Sequence, residues 1–138
     1  MSNTANLVAM VIDDQPMMCS IVRGAMKQLG INQTLEANSG NAALDLLRTT
    51  KTPPDFIFCD LYMDNGGGTE FINTMRRDEK LKMLGIPILM LTGEQDEMML
   101  DVCRQVGAVT ILHKPCALPQ IAAAISKIVG FDVMKAAS

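Results

Sequence analysis

Five short, mostly apolar runs, each followed by a stretch with helical spacing, constrain this chain more than any other feature. Four of the runs are Val8–Ile12, Phe56–Cys59, Pro87–Leu91 and Val109–Leu112. Continuous apolar runs of this length suit parallel strands covered on both faces. A fifth run, Thr34–Ala37, carries a charge and reads as an edge strand. Between them, apolar residues recur at three and four. They are Met18, Ile21, Val22, Ala25 and Leu29, then Ala43, Leu44 and Leu47, then Phe71, Ile72 and Met75. Met99, Val102, Cys103 and Val106 follow, and Leu118, Ile121, Ile125 and Ile128 close the series. Gly30, Gly107 and Gly130 each follow such a stretch, where a left-handed residue ends a helix. Ser39 is placed to cap the second helix, and Pro87 opens its strand without costing a central ladder bond.

The pattern predicts an α/β chain built as (βα)5. Its parallel sheet is doubly wound, with right-handed crossovers and helices on both faces. The 138 residues make one domain, 1–138, with a core over about 6–130. Residues 131–138 form an extension that either lengthens the fifth helix or frays. The N-terminal MSNTANL lacks a signal-peptide pattern, and no apolar run approaches a membrane span. A cytoplasmic protein without membrane insertion is expected. Twelve Lys and Arg against fifteen Asp and Glu give a net charge of −3. With aromatics at 4% and no Trp, direct nucleic-acid binding is disfavoured. The cysteines at 19, 59, 103 and 116 make no CxxC pair, and one His is too few for a Cys/His zinc site. They read as reduced, mostly buried thiols.

In an open parallel sheet, sites form at the carboxyl ends of the strands. The first strand runs into Asp13-Asp14, the third into Asp60, the fourth into Thr92 and the fifth into His113-Lys114-Pro115. Three carboxylates at one sheet edge repel one another unless a cation offsets them. Oxygen ligands of this kind suit Mg²⁺. The Lys supplies a second positive charge and the Thr a hydroxyl donor. Such a set can hold a phosphoryl group beside a carboxylate, and an Asp can itself be the nucleophile.

The segments VIDDQPMM, FIFCDLYMDNGGG, ILMLTGE and ILHKP, taken together, resemble the receiver domain of two-component response regulators over essentially the whole chain. It looks like a stand-alone receiver of the chemotaxis type. The resemblance implies a flavodoxin-like fold with strand order 2-1-3-4-5. It implies that Asp60 accepts a phosphoryl group from a sensor histidine kinase or histidine phosphotransfer protein, and that a downstream protein target reads the result. It also implies Mg²⁺ held directly by Asp14 and Asp60, by Asp13 through water and by the Tyr62 carbonyl. Thr92 and Lys114 would contact the phosphoryl oxygens. A cis bond at Lys114-Pro115 is expected on the same ground.

Three features depart from the family pattern. Ile111 stands three residues before Lys114, where an aromatic is usual, so the usual coupling of the Thr to a ring is put in question. Asp64 replaces the usual proline four residues after Asp60, and with Gly66-Gly67-Gly68 it predicts a looser, more acidic loop. His113 precedes Lys114 and reads as structural. On the fourth helix Met98, Asp101 and Gln105 fall off the inward stripe and mark a candidate output surface. The first helix near Met17 and Ser20 is the other candidate, where a kinase or phosphotransferase helix would approach.

Two other functions compete. A phosphatase of the haloacid dehalogenase type uses the same residue classes, but its second acid, two residues past the nucleophile, is Tyr62 here. A receiver-like scaffold that works without phosphorylation is the other alternative, and retention of the key residue types stands against it. Flavin binding is disfavoured, because DDQPMM is acidic and offers no phosphate cradle.

Overall fold

The computed structural model describes residues 3–137. Five strands alternate with helices in chain order. They are β1 (Val8–Ile12), α1 (Pro16–Gln28), β2 (Gln33–Ala37), α2 (Gly40–Thr49), β3 (Phe56–Cys59) and α3 (Gly68–Arg77). Then come β4 (Ile88–Thr92), α4 (Glu97–Val106), β5 (Thr110–His113), α5 (Leu118–Val129) and α6 (Val133–Ala137). The strands form one parallel sheet in the order β2-β1-β3-β4-β5. Fold class and strand order are as expected from the sequence. Among the described residues, no helix is long and apolar enough to cross a membrane.

Strand alternation sorts the core into two layers. Met10, Ile12, Ile57, Cys59, Ile88 and Met90 face α2, α3 and α4, where they meet Leu47, Phe71, Ile72 and Cys103. Ala9, Val11, Phe56, Phe58, Leu89 and Leu91 face α1 and α5, where they meet Val22, Met26, Ile121 and Ile125. Phe56 and Phe58 pack edge to face, with centroids 5.7 Å apart. The central strands are buried throughout, whereas β2 and β5 at the sheet edges are partly open. Cys19, Cys59 and Cys103 are buried and all four thiols are free. Burial pushes each of the three buried thiols above its ordinary value, so they behave as small apolar side chains.

Helix ends are closed by specific groups. The Ser39 hydroxyl accepts from the Ala42 N–H at 3.1 Å, as its position predicted. Arg76 of α3 donates to the Gln105 and Val106 carbonyls, which have no partner within α4. Strands β4 and β5 begin and end one residue later than the apolar runs, so Pro87 lies just before its strand.

Three expectations are corrected. In α1 the buried stripe is Cys19, Val22 and Met26, continued by Leu29 just past the helix end, while Ile21 is 51% exposed. In α4 Leu100 takes the inward place assigned to Val102, which is exposed. At about 100° per residue, Val102 stands roughly 200° around the helix from Leu100. Both errors come from stripes wider than the seam that meets the sheet. The C-terminal residues neither extend α5 nor fray over 131–137. Gly130, at φ 83°, ends α5 and α6 turns back, with the Asp132 carboxylate accepting from the Met134 and Lys135 N–H groups. Val133 is fully buried in the second layer, which contributes up to about 1.5–3 kcal/mol to holding the turn. Ser138, which the expectation also covered, lies outside the described residues.

Two glycines separate close packing from mere flexibility. A Cβ on Gly68 would lie 2.4 Å from the Asp60 carbonyl oxygen, whereas one on Gly24, exposed in mid-α1, would meet nothing within 4 Å. Gly68→Ala is therefore expected to destabilise the protein by about 1–3 kcal/mol. Gly24→Ala is expected to stabilise it by about 0.5–1 kcal/mol. Urea titration of both variants checks the contrast; shifts of the same sign would contradict it.

Candidate functional site

Backbone bonds to neighbouring strands set the site residues in place. Asp13 follows β1, and its N–H donates to the Ala37 carbonyl at the end of β2 (3.1 Å). Asp60 follows β3, and its N–H donates to Ile12 at the end of β1 (3.1 Å). Lys114 follows β5, and its N–H donates to the carbonyl of Thr92, the last residue of β4 (2.9 Å). The ladder thus continues one residue past the strands and brings residues distant in sequence to one edge of the sheet.

The Lys114 ammonium joins two of the acids. Its Nζ lies 3.0 Å from Asp13 Oδ2 and 3.1 Å from Asp60 Oδ2. The side chains are 18%, 5% and 12% exposed, so the pairing is only weakly screened by solvent. Burial opposes the lysine's charge. Its hydrogen bonds and the two carboxylate charges prevail, and Lys114 titrates above its ordinary value. The second oxygen of each acid is also held. Asp13 Oδ1 accepts from the Gln15 N–H at 3.0 Å, and Asp60 Oδ1 from the Leu61 N–H at 2.7 Å.

Thr92 is buried, and its Oγ1 accepts from the Glu94 N–H at 3.2 Å, leaving the hydroxyl proton free to be donated elsewhere. Asp14 is exposed, and its Oδ2 accepts from the Asp64 N–H at 3.4 Å. The Lys114-Pro115 bond is cis. Asp13, Asp60 and Lys114 are therefore in direct contact, Thr92 is tied to Lys114 through the backbone, and Asp14 stands at the rim.

The loop after β3 is bonded in place rather than loose, contrary to the expectation from Asp64 and the glycines. The Gly66 carbonyl accepts from Gly40 N–H at 3.0 Å and the Asn65 carbonyl from Asn41 N–H at 3.4 Å. These donors open α2 and have no partner within it, so the loop caps that helix. Gly68 N–H closes the loop onto the Leu61 carbonyl at 2.9 Å. Asn65 takes a left-handed conformation, φ 57°, which asparagine tolerates.

One partnership had no signal in the pattern. The Tyr62 hydroxyl donates to Glu94 Oε1 and links the loop after β3 to the loop after β4. This bond raises the Tyr62 hydroxyl to about 12 and lowers the Glu94 carboxyl. Nothing in the spacing of LTGE marks Glu94 as a partner of a residue 32 positions away. Ile111 is half-buried against the α2–α4 layer, and His113 is exposed at the end of β5.

The donors fit a hard cation by type. Asp13, Asp14 and Asp60 supply only oxygen, and Asp14 lines two open cavities, one of about 550 Å³ that it shares with Asp13 and one of about 410 Å³ that it shares with Tyr62 and Asp64. Among the described residues, no three acidic, His or Cys side chains are gathered closely enough to chelate an ion by themselves. The Lys114 ammonium offsets two of the acids. An ion such as Mg²⁺, which keeps several of its own waters, needs only part of its shell from such a set.

The chain matches the family model of the response regulator receiver domain over residues 9–126. It is 32% identical over 123 residues to the chemotaxis protein CheY-3 of Vibrio cholerae serotype O1, covering 89% of this chain and 92% of that protein. To chemotaxis protein CheY of Pseudomonas aeruginosa it is 30% identical over 119 residues, covering 86% and 93%. A two-component response regulator from Clostridium difficile has the same fold, with TM-score 0.79 at 20% identity and coverage of 91% and 97%. Chemotaxis protein CheY4 of Vibrio cholerae gives 0.77 at 24%, covering 88% of this chain and 98% of its own. On the family match and the two chemotaxis relatives, this chain belongs to the response regulator receiver domain family.

Proposed function

We propose that this receiver accepts a phosphoryl group on Asp60 and changes a partner-binding surface when it does so. The contact that carries the reading is the Lys114 ammonium shared between Asp13 and Asp60. The donor is a phosphohistidine on a sensor kinase or phosphotransfer protein. The Asp60 carboxylate attacks phosphorus, a P–O bond forms and the P–N bond breaks. The electron pair goes to the imidazole nitrogen, which takes a proton from solvent. Water later attacks the acyl phosphate, releasing inorganic phosphate and the free carboxylate. Lys114 and the Thr92 hydroxyl contact the phosphoryl oxygens and offset their charge.

Asp14 and Asp60 directly, Asp13 through water, and the Tyr62 carbonyl would hold Mg²⁺. A bound Mg²⁺ supplies charge neutralisation for the acids and the incoming oxygens. The protein turns over no external substrate and works in the cytoplasm.

The donor docks along α1. Met17 and Ile21 are exposed there, beside an apolar groove of about 290 Å³ lined by Met18, Leu91, Lys114 and Pro115. The output target reads α4, where Met98 and Val102 stand outward beside Asp101 and Gln105.

Treatment with acetyl phosphate and Mg²⁺ is expected to add one labile phosphoryl mass, absent in Asp60→Ala, as read by intact-protein mass spectrometry. An equal addition in that variant would overturn the reading. Lys114→Gln leaves two mostly buried carboxylates without their cation, at a cost of about 2–4 kcal/mol. Mg²⁺ is then the remaining counter-charge, so it should raise Tm more in Lys114→Gln than in the wild type. The same Mg²⁺ effect on both proteins would place the ion elsewhere. Ile21→Glu is expected to slow transfer from a phosphohistidine protein tenfold or more while leaving the acetyl phosphate rate unchanged. Rapid-quench kinetics with both donors decide this, since a general folding defect slows both.

A further inference from the structure

We propose that the Tyr62–Glu94 hydrogen bond is a latch that holds the free form of the site and opens when charge arrives on Asp60. The inference rests on Asp60 being the acceptor. Tyr62 lies two residues past Asp60, and Glu94 lies two residues past Thr92. Their side-chain bond therefore ties together the two loops that must respond to a phosphoryl group.

Glu94 is well placed to transmit a change. Its Oε2 accepts from the Gln95 and Asp96 N–H groups at 2.9 and 3.3 Å, and its own N–H donates to Thr92 Oγ1 at 3.2 Å. Asp96 in turn caps α4 by accepting from the Met98 N–H at 2.9 Å. A continuous set of hydrogen bonds thus runs from the Tyr62 hydroxyl through Glu94 to Thr92 on one side and to the start of α4 on the other. The Thr92 hydroxyl can donate to a phosphoryl oxygen while still accepting from Glu94, so any shift of Thr92 moves Glu94 with it.

Two effects then act against the latch. Displacement of Glu94 stretches its bond to Tyr62. A phosphoryl group also adds about 1.5–2 negative charges to Asp60, at the start of the same loop against which the latch holds the Glu94 carboxylate. Tyr62 is 55% exposed, so the bond competes with water and a modest push is enough to break it. Ile111 has no hydroxyl with which to take part. A contact present in one state only biases the equilibrium by its own free energy. Removing the latch should therefore favour the charged form.

The chain has one Tyr and no Trp, so tyrosine emission reports on Tyr62 alone. A phenol bonded to a carboxylate is quenched, and release restores its emission. Titration with beryllium trifluoride and Mg²⁺ is expected to raise that emission in step with a bound signal in ¹⁹F NMR. Tyr62→Phe and Glu94→Ala should each tighten beryllium trifluoride binding about three- to tenfold, as loss of one exposed hydrogen bond permits. The double variant should bind no more tightly than either single one. Full ¹⁹F binding with unchanged emission, additive effects in the double variant, or weaker binding in Tyr62→Phe would each overturn the latch while leaving Asp60 as acceptor. No ¹⁹F signal in the wild type would overturn the acceptor reading and the latch together.

Discussion

A single ammonium between two carboxylates organises this molecule's functional edge. Asp13 and Asp60 are too buried to rely on water for screening, and each already accepts one backbone N–H. Lys114 makes their proximity tolerable. Because Lys114 hangs from the end of β5, its reach across to β1 and β3 depends on the strand order. Its backbone N–H, bonded to the Thr92 carbonyl, fixes where that reach begins. Electrostatics at the edge and register in the sheet are one constraint seen from two ends.

The loops around this edge are tied more firmly than their composition implies. Asn65 and Gly66 look like a flexible insertion, yet their carbonyls satisfy the first donors of α2. Gly68 is needed because the Asp60 carbonyl leaves no room for a Cβ. The acidic loop residue Asp64 meets Asp14 through its backbone N–H rather than its carboxylate, so its first role is to fix the rim. Tyr62 and Glu94 bind the loops of β3 and β4 together. The loops next to Asp60 are thus held by bonds to α2, to Asp14 and, through Glu94 and Asp96, to the start of α4.

Much of the architecture was legible in the chain. Runs such as Val8–Ile12 and Phe56–Cys59 announce buried parallel strands, since few other structures bury both faces of a segment of four or five residues. Asp13, Asp60, Thr92 and Lys114 were legible as a group because each stands at the carboxyl end of such a run. Helix faces were read less well. Ile21 and Val102 lie at permissible spacings yet point outward, because spacing defines a broad apolar sector and the narrow seam within it is chosen by the sheet. α6 was misread for a related reason: Val133 finds a place in the core that only the packed α5 and the N-terminal segment create.

The amino-acid order by itself determined the alternation of strands and helices, the positions of the chemical groups at strand ends, and the family to which the chain is similar. These follow from local periodicity and from short segments whose meaning does not depend on distant residues. Tertiary structure alone decided which groups touch. That Lys114 bonds Asp13 and Asp60, that Asn65 caps α2 and that Tyr62 reaches Glu94 are contacts between residues far apart in the chain. Their geometry is set by strand order and by the packing of loops against one another, and hydrogen bonds discriminate over tenths of an ångström that no spacing rule resolves.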